Sequence, residues 1–189
     1  MSRGSRAEAS ALALAALGVH SRAVTEPPLQ HCLPPVVRPD THVLLLGSLP
    51  GAVSLARAQY YAHPQNLFWR LVGAVIGREL TPLPYEQRLA TLLDAGIGLW
   101  DTVAAATRKG SLDADIRLHA ASDLAALVDT LPALRAVGFN GGTSARIGRR
   151  QLAGVEDIAL VDLPSSSPAY ASLPFDLKLE AWLGLRAYL

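Results

Sequence analysis

A single cysteine, Cys32, is present among 189 residues. One thiol excludes a disulfide framework within the chain and any zinc or iron–sulfur site built from several thiolates, so a reducing compartment fits and no metal or other cofactor is expected. Net charge is equally scarce: 17 Lys and Arg against 16 Asp and Glu leave +1. No global basic field advertises a polyanionic partner, so contact with nucleic acid would have to come from a local patch and from backbone amides. No apolar run approaches the ~20 residues that span a bilayer, and no membrane partner is expected. Ser10 to Val19 is apolar and follows Arg3 and Arg6, imitating a secretory signal. The run is short, Ala-dominated, preceded by Glu8 and without a convincing cleavage context. Internal repeats are absent.

What is present is enough apolar material, 50% of the chain, to fill one substantial core. Residues 1–40 carry Pro27, Pro28, Pro34, Pro35 and Pro39 and read as a partly disordered N-terminal extension, leaving 41–189 as the single folded domain. From His42 onward, strand-like and helix-like segments alternate. Val43 to Leu46, Ile97 to Trp100, Ala136 to Phe139 and Ile158 to Val161 are short apolar runs suited to buried strands. Helical spacing of apolar residues marks Asn66 to Ile76, Tyr85 to Leu93, Asp123 to Leu131, Thr143 to Arg150 and Phe175 to Tyr188. The alternation predicts an α/β three-layer sandwich around a central four-stranded parallel sheet.

Ligands of such sheets bind beyond the carboxyl ends of the strands. The residues that follow the four runs are Gly47 to Gly51, Asp101, Asn140 to Gly142 and Asp162 to Pro168, so the polar and Gly-rich clusters collect at one edge. Gly47 and Gly51 allow close approach of the main chain or a positive φ, and Pro50 stiffens the turn between them.

Five pieces in order, GSLPG (Gly47 to Gly51), YYAHPQNLFW (Tyr60 to Trp69), GIGLWD (Gly96 to Asp101), FNG (Phe139 to Gly141) and LPSSSPA (Leu163 to Ala169), resemble the uracil-DNA glycosylase superfamily. Within it the chain is most similar to the hypoxanthine-DNA (deoxyinosine) glycosylase branch and more distantly to the mismatch-specific uracil-DNA glycosylases. The resemblance implies hydrolysis of an N-glycosidic bond in DNA after the damaged nucleotide is rotated into a pocket. Such chemistry needs no metal if the protein places a water at the sugar and donors on the base.

Related branches carry Asn or Asp at the position matching Leu49, where it positions the attacking water; leucine has no such capacity. The nearest polar substitute is Asn66, which the resemblance favours as catalytic, holding a water or binding the leaving base; alternatively it caps the helix that follows. His63 fits a general acid or a neutral donor to the base carbonyl, or simple packing beside Pro64. Tyr61 matches the aromatic that stacks on the flipped base, a contact worth ~1–3 kcal/mol, unless it is a core residue. Its neighbour Tyr60 reads as core if the segment is extended. Gly47 and Ser48 would present backbone to the base. Asp101 would accept the ring N–H that hypoxanthine and uracil share, or else cap a segment from Thr102 to Ala106. Asn140 is read as lining the base site or forming the turn with Gly141 and Gly142.

The loop Ser165, Ser166, Ser167, Pro168, Ala169 and Tyr170 resembles the DNA-engaging loop of the superfamily: its hydroxyls could bond phosphates, and Ala169 or Tyr170 would fill the space left by the flipped base, with a proline-braced turn as the plain alternative. Arg146, Arg149 and Arg150 offer a positive surface or a solvated helix face. The segment from Arg108 to Asp113 also resembles the hypoxanthine branch, its basic pair either touching the backbone or serving as solubilising charge. Only Lys109 and Lys178 exist, and neither falls among the motifs in sequence, so nothing suggests a Schiff-base lysine. The reading is therefore a monofunctional glycosylase, monomeric, cytoplasmic and of bacterial type, acting on DNA with a deaminated base: hypoxanthine first, uracil or a G:U/T mismatch as the alternative. A non-catalytic damage binder on the same fold remains open because of Leu49. A serine hydrolase does not, since no Gly-x-Ser-x-Gly elbow exists.

Overall fold

The computed structural model describes residues 29–108 and 116–189. Its centre is a four-stranded parallel sheet in the order β3 (Ile97–Asp101), β2 (Val43–Gly47), β6 (Ala136–Asn140), β7 (Ala159–Leu163). These are the four expected strands, shifted by at most a residue or two at their ends. Strand β2 lies inside the sheet, and Val43, Leu44, Leu45 and Leu46 are each fully buried. Alternate side chains of a strand point to opposite faces. Val43 and Leu45 accordingly join Phe68, Leu71, Val72, Leu92 and Trp182 in one core. Leu44 and Leu46 join Leu124, Val128, Val137 and Phe139 in the other. Each buried leucine contributes about 1.5–3 kcal/mol relative to exposure, so a run of this kind can only sit between two layers.

The layers are helical. α2 (Phe68–Ile76), α3 (Tyr85–Asp94) and α6 (Phe175–Leu183) cover the first face; α4 (Leu124–Asp129) and α5 (Gly142–Gln151) cover the second. α2 ends at Gly77, whose φ of 69° is the left-handed conformation a helix terminator adopts. Arg186 then donates to Val75 O and Ala74 O, satisfying the last carbonyls of that helix. The expected helix Phe175 to Tyr188 is α6 followed by a 3-10 turn, Gly184–Tyr188.

A second sheet was not foreseen. β1 (Leu29–His31), β4 (Val103–Arg108) and β5 (Ile116–Ala121) form an antiparallel sheet in the order β1-β4-β5. Val103–Arg108 reads VAAATR, in which three alanines weaken the strand preference, yet both of its edges are paired, one by β1, remote in sequence, and the other by β5, the next strand in the chain. Asp101 therefore caps no helix at Thr102 to Ala106; the chain passes from β3 into β4 through Thr102. The ladder with β2 continues across that junction, Thr102 N–H donating to Gly47 O and Val103 N–H to Ser48 O. Part of the assigned extension also belongs to the fold: besides β1, Val36 pairs with Leu99 on the outer edge of β3. The basic segment after Arg108, residues 109–113, lies outside the described residues.

Candidate active site

Beyond the carboxyl ends of the parallel strands lies a cavity of about 330 Å3, lined by Gly47 to Ser54, Tyr60, Tyr61, His63, Asn66, Asp101, Asn140 and Ser165 to Ala169. Every base-binding and catalytic candidate, and each loop candidate except Tyr170, reaches it. The register explains the convergence: Gly47 pairs with Asp101 across β2 and β3, and Asn140 with Leu163 across β6 and β7, so each motif emerges at the same level of the sheet.

Gly47 supplies space rather than unusual φ. A Cβ there would lie 2.5 Å from Asp101 Oδ1 and 3.2 Å from Tyr61 Oη, so only glycine lets the carboxylate and the phenol close over the backbone. Asp101 is 3% exposed. Burial first, and then the Asp101 carboxylate, push both the Tyr60 phenol and the Cys32 thiol above their ordinary ranges. Tyr60 is the core residue of the tyrosine pair: it is buried, and its hydroxyl lies within hydrogen-bonding distance of Leu33 O and Pro34 O, at 3.1 and 3.0 Å. Its separation from Tyr61 does not come from an extended segment. Tyr61 has φ 53°, a turn conformation, and its ring stacks parallel to Phe68 at 3.7 Å while still reaching the cavity.

Asn66 is half-buried, and its Oδ1 accepts the Phe68 N–H at 3.0 Å at the start of α2. Because a backbone N–H needs an acceptor, this bond fixes which end of the amide is oxygen; one lone pair and the NH2 group remain. Capping and a role in the cavity are thus compatible. His63 Nδ1 accepts the Gln65 N–H at 3.2 Å, so the neutral ring carries its proton on Nε2.

Asn140 is bonded twice to Ser166. Nδ2 donates to Ser166 Oγ at 2.9 Å, and Ser166 N–H donates to Asn140 Oδ1 at 2.8 Å. Ser166 is fully buried, which corrects the expectation that its hydroxyl meets phosphate: it braces the loop from within. Ser165 Oγ accepts from Ser167 N–H, and Ser167 Oγ from Ala169 N–H, giving the loop a preformed shape. Tyr170 lies outside the cavity and is 44% exposed. Among the arginines, Arg149 is tied to Asp162 and to Leu160 O, whereas the side chains of Arg146 and Arg150 are exposed.

Leu49 lines the cavity but is 5% exposed and packs with Val103, Ala106 and Ile147. At the site itself, one helix and one side chain escaped the sequence reading. α1 (Ala52–Arg57) forms one wall, and its buried Ser54 accepts the Ala62 N–H, supporting the turn that carries Tyr61 and His63. Six residues are too few for periodicity to reveal such a helix. Lys178, remote from the motifs in sequence, is in space bonded to the loop, with Nζ donating to Ser165 O and Tyr170 O. Its spacing with Phe175, Leu179 and Trp182 was the available signal, since i, i+3, i+4 and i+7 share a helix face.

The chain is similar in sequence and in fold to known proteins. Hypoxanthine DNA glycosylase of Methanosarcina barkeri is 45% identical over 111 residues, 59% of this chain and 70% of that protein. Its counterpart from Methanosarcina acetivorans is 44% identical over 108 residues, covering 57% and 68%. A solution NMR structure from Methanosarcina acetivorans, described as a uracil DNA glycosylase, superposes with a TM-score of 0.76 at 36% identity, covering 85% of this chain and 99% of that one. These relatives are archaeal, so the attribution to bacteria has no support. Among the described residues no helix is long and apolar enough to cross a membrane. The family model of the uracil DNA glycosylase superfamily matches residues 34–186, from the bridge at β3 to the last 3-10 turn, and the chain belongs to that superfamily.

Proposed function

We propose that this protein is a monofunctional DNA glycosylase that takes a deaminated nucleotide out of the duplex and hydrolyses its N-glycosidic bond, with hypoxanthine as the first substrate and uracil as the second. The observation that carries the reading is the meeting of Asn66, His63, Tyr61 and Asp101 in one cavity at the carboxyl edge of the sheet, in a chain similar to two hypoxanthine DNA glycosylases.

In this reading the flipped base rests on the face of Tyr61 away from Phe68. Asp101 accepts the ring N–H next to a carbonyl. Hypoxanthine and uracil both present that edge, whereas adenine and cytosine present an unprotonated ring nitrogen beside an amino group. A buried mismatch of this kind discriminates by up to ~10⁴–10⁵. His63 donates from Nε2 to the leaving base, stabilising the charge that develops there. Asn66, its amide orientation set by Phe68, holds the attacking water through its free lone pair or steadies the base through its NH2 group; the prepaid orientation is what lowers the barrier. Water is the nucleophile: Lys178 does not line the cavity, and its Nζ already donates to two carbonyls. The product is an abasic site. Ser165, Ser167, Pro168, Ala169 and Tyr170 face the duplex, with Ala169 at the cavity lip and Tyr170 beside it. The protein acts as a monomer on intracellular DNA.

A second reading, a damage binder without catalysis, is favoured by one observation: Leu49 is committed to an apolar cluster where related branches place the water-holding residue. The deciding experiment is base release from identical duplexes containing one hypoxanthine, one uracil or neither, with wild type and Asn66→Ala side by side. Hypoxanthine release that collapses in the variant is expected. Release of uracil alone would move the protein to the mismatch-specific uracil enzymes. Tight damage-selective binding with no release would establish the binder.

A further inference from the structure

Lys178 is a buried charge that the proposed chemistry leaves without a task. It sits on α6 and is 1% exposed. Its ammonium donates to Ser165 O at 2.8 Å and to Tyr170 O at 2.6 Å, and lies 5.0 Å from the centre of the Tyr170 ring. Among the described residues no carboxylate pairs with it. Burial pushes its amine below the usual lysine range. A buried cation without a counter-ion is costly unless its hydrogen bonds are well made, and an apolar residue would fill the same volume without that cost.

The two acceptors are what make the arrangement specific. Ser165 and Tyr170 are the two ends of the loop that borders the cavity, so one ammonium closes the loop on itself. Both carbonyls are drawn inward onto the cation and away from the outer surface, where they would repel phosphate oxygens. Neighbouring bonds hold the remainder: Trp182 Nε1 donates to Pro164 O, and Leu67 N–H donates to Ser166 O. With Asn140 on Ser166, the loop is anchored from α6, from the start of α2 and from β6, and Lys178 is the anchor that spans it end to end.

Resting on the functional reading above, we propose that Lys178 is a positioning residue for duplex engagement: by clamping the Ser165 and Tyr170 carbonyls it presents the Ser167 to Tyr170 surface to DNA in a preformed shape. Its effect falls on the encounter with duplex more than on bond cleavage. A single-stranded substrate, in which the base is already unstacked, depends on it less.

The test uses the full chain with Lys178→Met, and Lys178→Gln in parallel should the first fail to fold. Two readouts are taken: amide hydrogen exchange over 164–171 and over β2, and single-turnover base release against enzyme concentration on a hypoxanthine duplex and on the same strand alone. Exchange in the loop should rise roughly tenfold or more while β2 stays protected. The half-saturating concentration for duplex should rise about tenfold, with the rate at saturation within about threefold and a smaller shift on the single strand. Unchanged loop exchange and unchanged half-saturation in a folded variant would overturn the proposal. So would an equal loss on both substrates with β2 deprotected, because that marks general loosening. If the wild type releases neither base, the functional reading fails by itself, and loop exchange together with duplex binding by the variant still decides the role of Lys178.

Discussion

Asn140 and Ser166 are bound to each other twice, amide to hydroxyl and backbone N–H to amide oxygen, inside the protein and 26 residues apart in sequence. This pair joins the end of β6 to the loop after β7, and both residues are at least nine-tenths buried. Asn140→Ala removes both bonds and leaves the Ser166 N–H without its acceptor. The expected cost is about 1–3 kcal/mol, together with reduced base release as the loop loosens. Denaturant melts and the base-release assay on the same preparation check it; unaltered stability would mean that water or another group replaces the amide.

Gly47→Ala tests the floor of the cavity. Its Cβ would stand 2.5 Å from Asp101 Oδ1, so the buried carboxylate must shift from its place at the end of the strand. Overpacking of this kind costs typically ~1–3 kcal/mol. Base release should fall more than tenfold even where the variant is fully folded, because the displaced group is the proposed base reader. Wild-type turnover by Gly47→Ala would show that Asp101 does not need its present position.

Leu49→Asn asks whether the side chain found in related branches can act here. The side chain at 49 packs among Val103, Ala106 and Ile147, so an amide there replaces an apolar contact with a poorly satisfied polar group. The variant should lose about 2 kcal/mol or more and gain no rate. A faster enzyme would show that residue 49 faces the reacting water after all.

Tyr60 should make the protein sensitive to alkali. Its phenol is raised by burial and then by the Asp101 charge, whereas in the unfolded chain it titrates near ~10. A raised folded pKa contributes stability that is complete below the unfolded value and is lost as pH rises above it, since the unfolded chain releases the proton first. Melting temperature should therefore fall from pH ~10 upward, and Tyr60→Phe, though less stable at neutral pH through loss of the contacts with Leu33 O and Pro34 O, should show a shallower alkaline fall. Parallel curves for the two proteins would assign the alkaline transition to another group.

Much of this architecture is written locally. VLLLG at residues 43–47 is apolar at every position before its glycine, a pattern that suits a strand buried on both faces, and its turn residues follow at once. The strands that end at Asp101 and Asn140 are buried in much the same way, whereas β7, at the edge of the sheet, is only half-buried over Ala159 to Val161 and carries the exposed Asp162. Once four such strands run parallel, geometry brings the residues after them to one edge, so part of the cavity's membership could be read from order alone. Gly47, Asp101 and Asn140 are legible for that reason, whereas Tyr61, His63 and Asn66, which follow no strand of the parallel sheet, are legible only through the resemblance of their motif.

The sequence by itself determined the superfamily, through the resemblance of its five ordered motifs, and also the four-stranded parallel sheet and which segments meet at its edge, because hydrophobic periodicity and turn chemistry act between near neighbours. Tertiary structure alone decided what depends on distant partners. VAAATR becomes a strand because β1 and β5 pair with both of its edges. Ser166 turns inward because Asn140 is there to bind it, Leu49 is held by β4, and Lys178 reaches the loop only because α6 packs beneath it. In each case the side chain's role is set by groups that packing, not sequence spacing, places beside it.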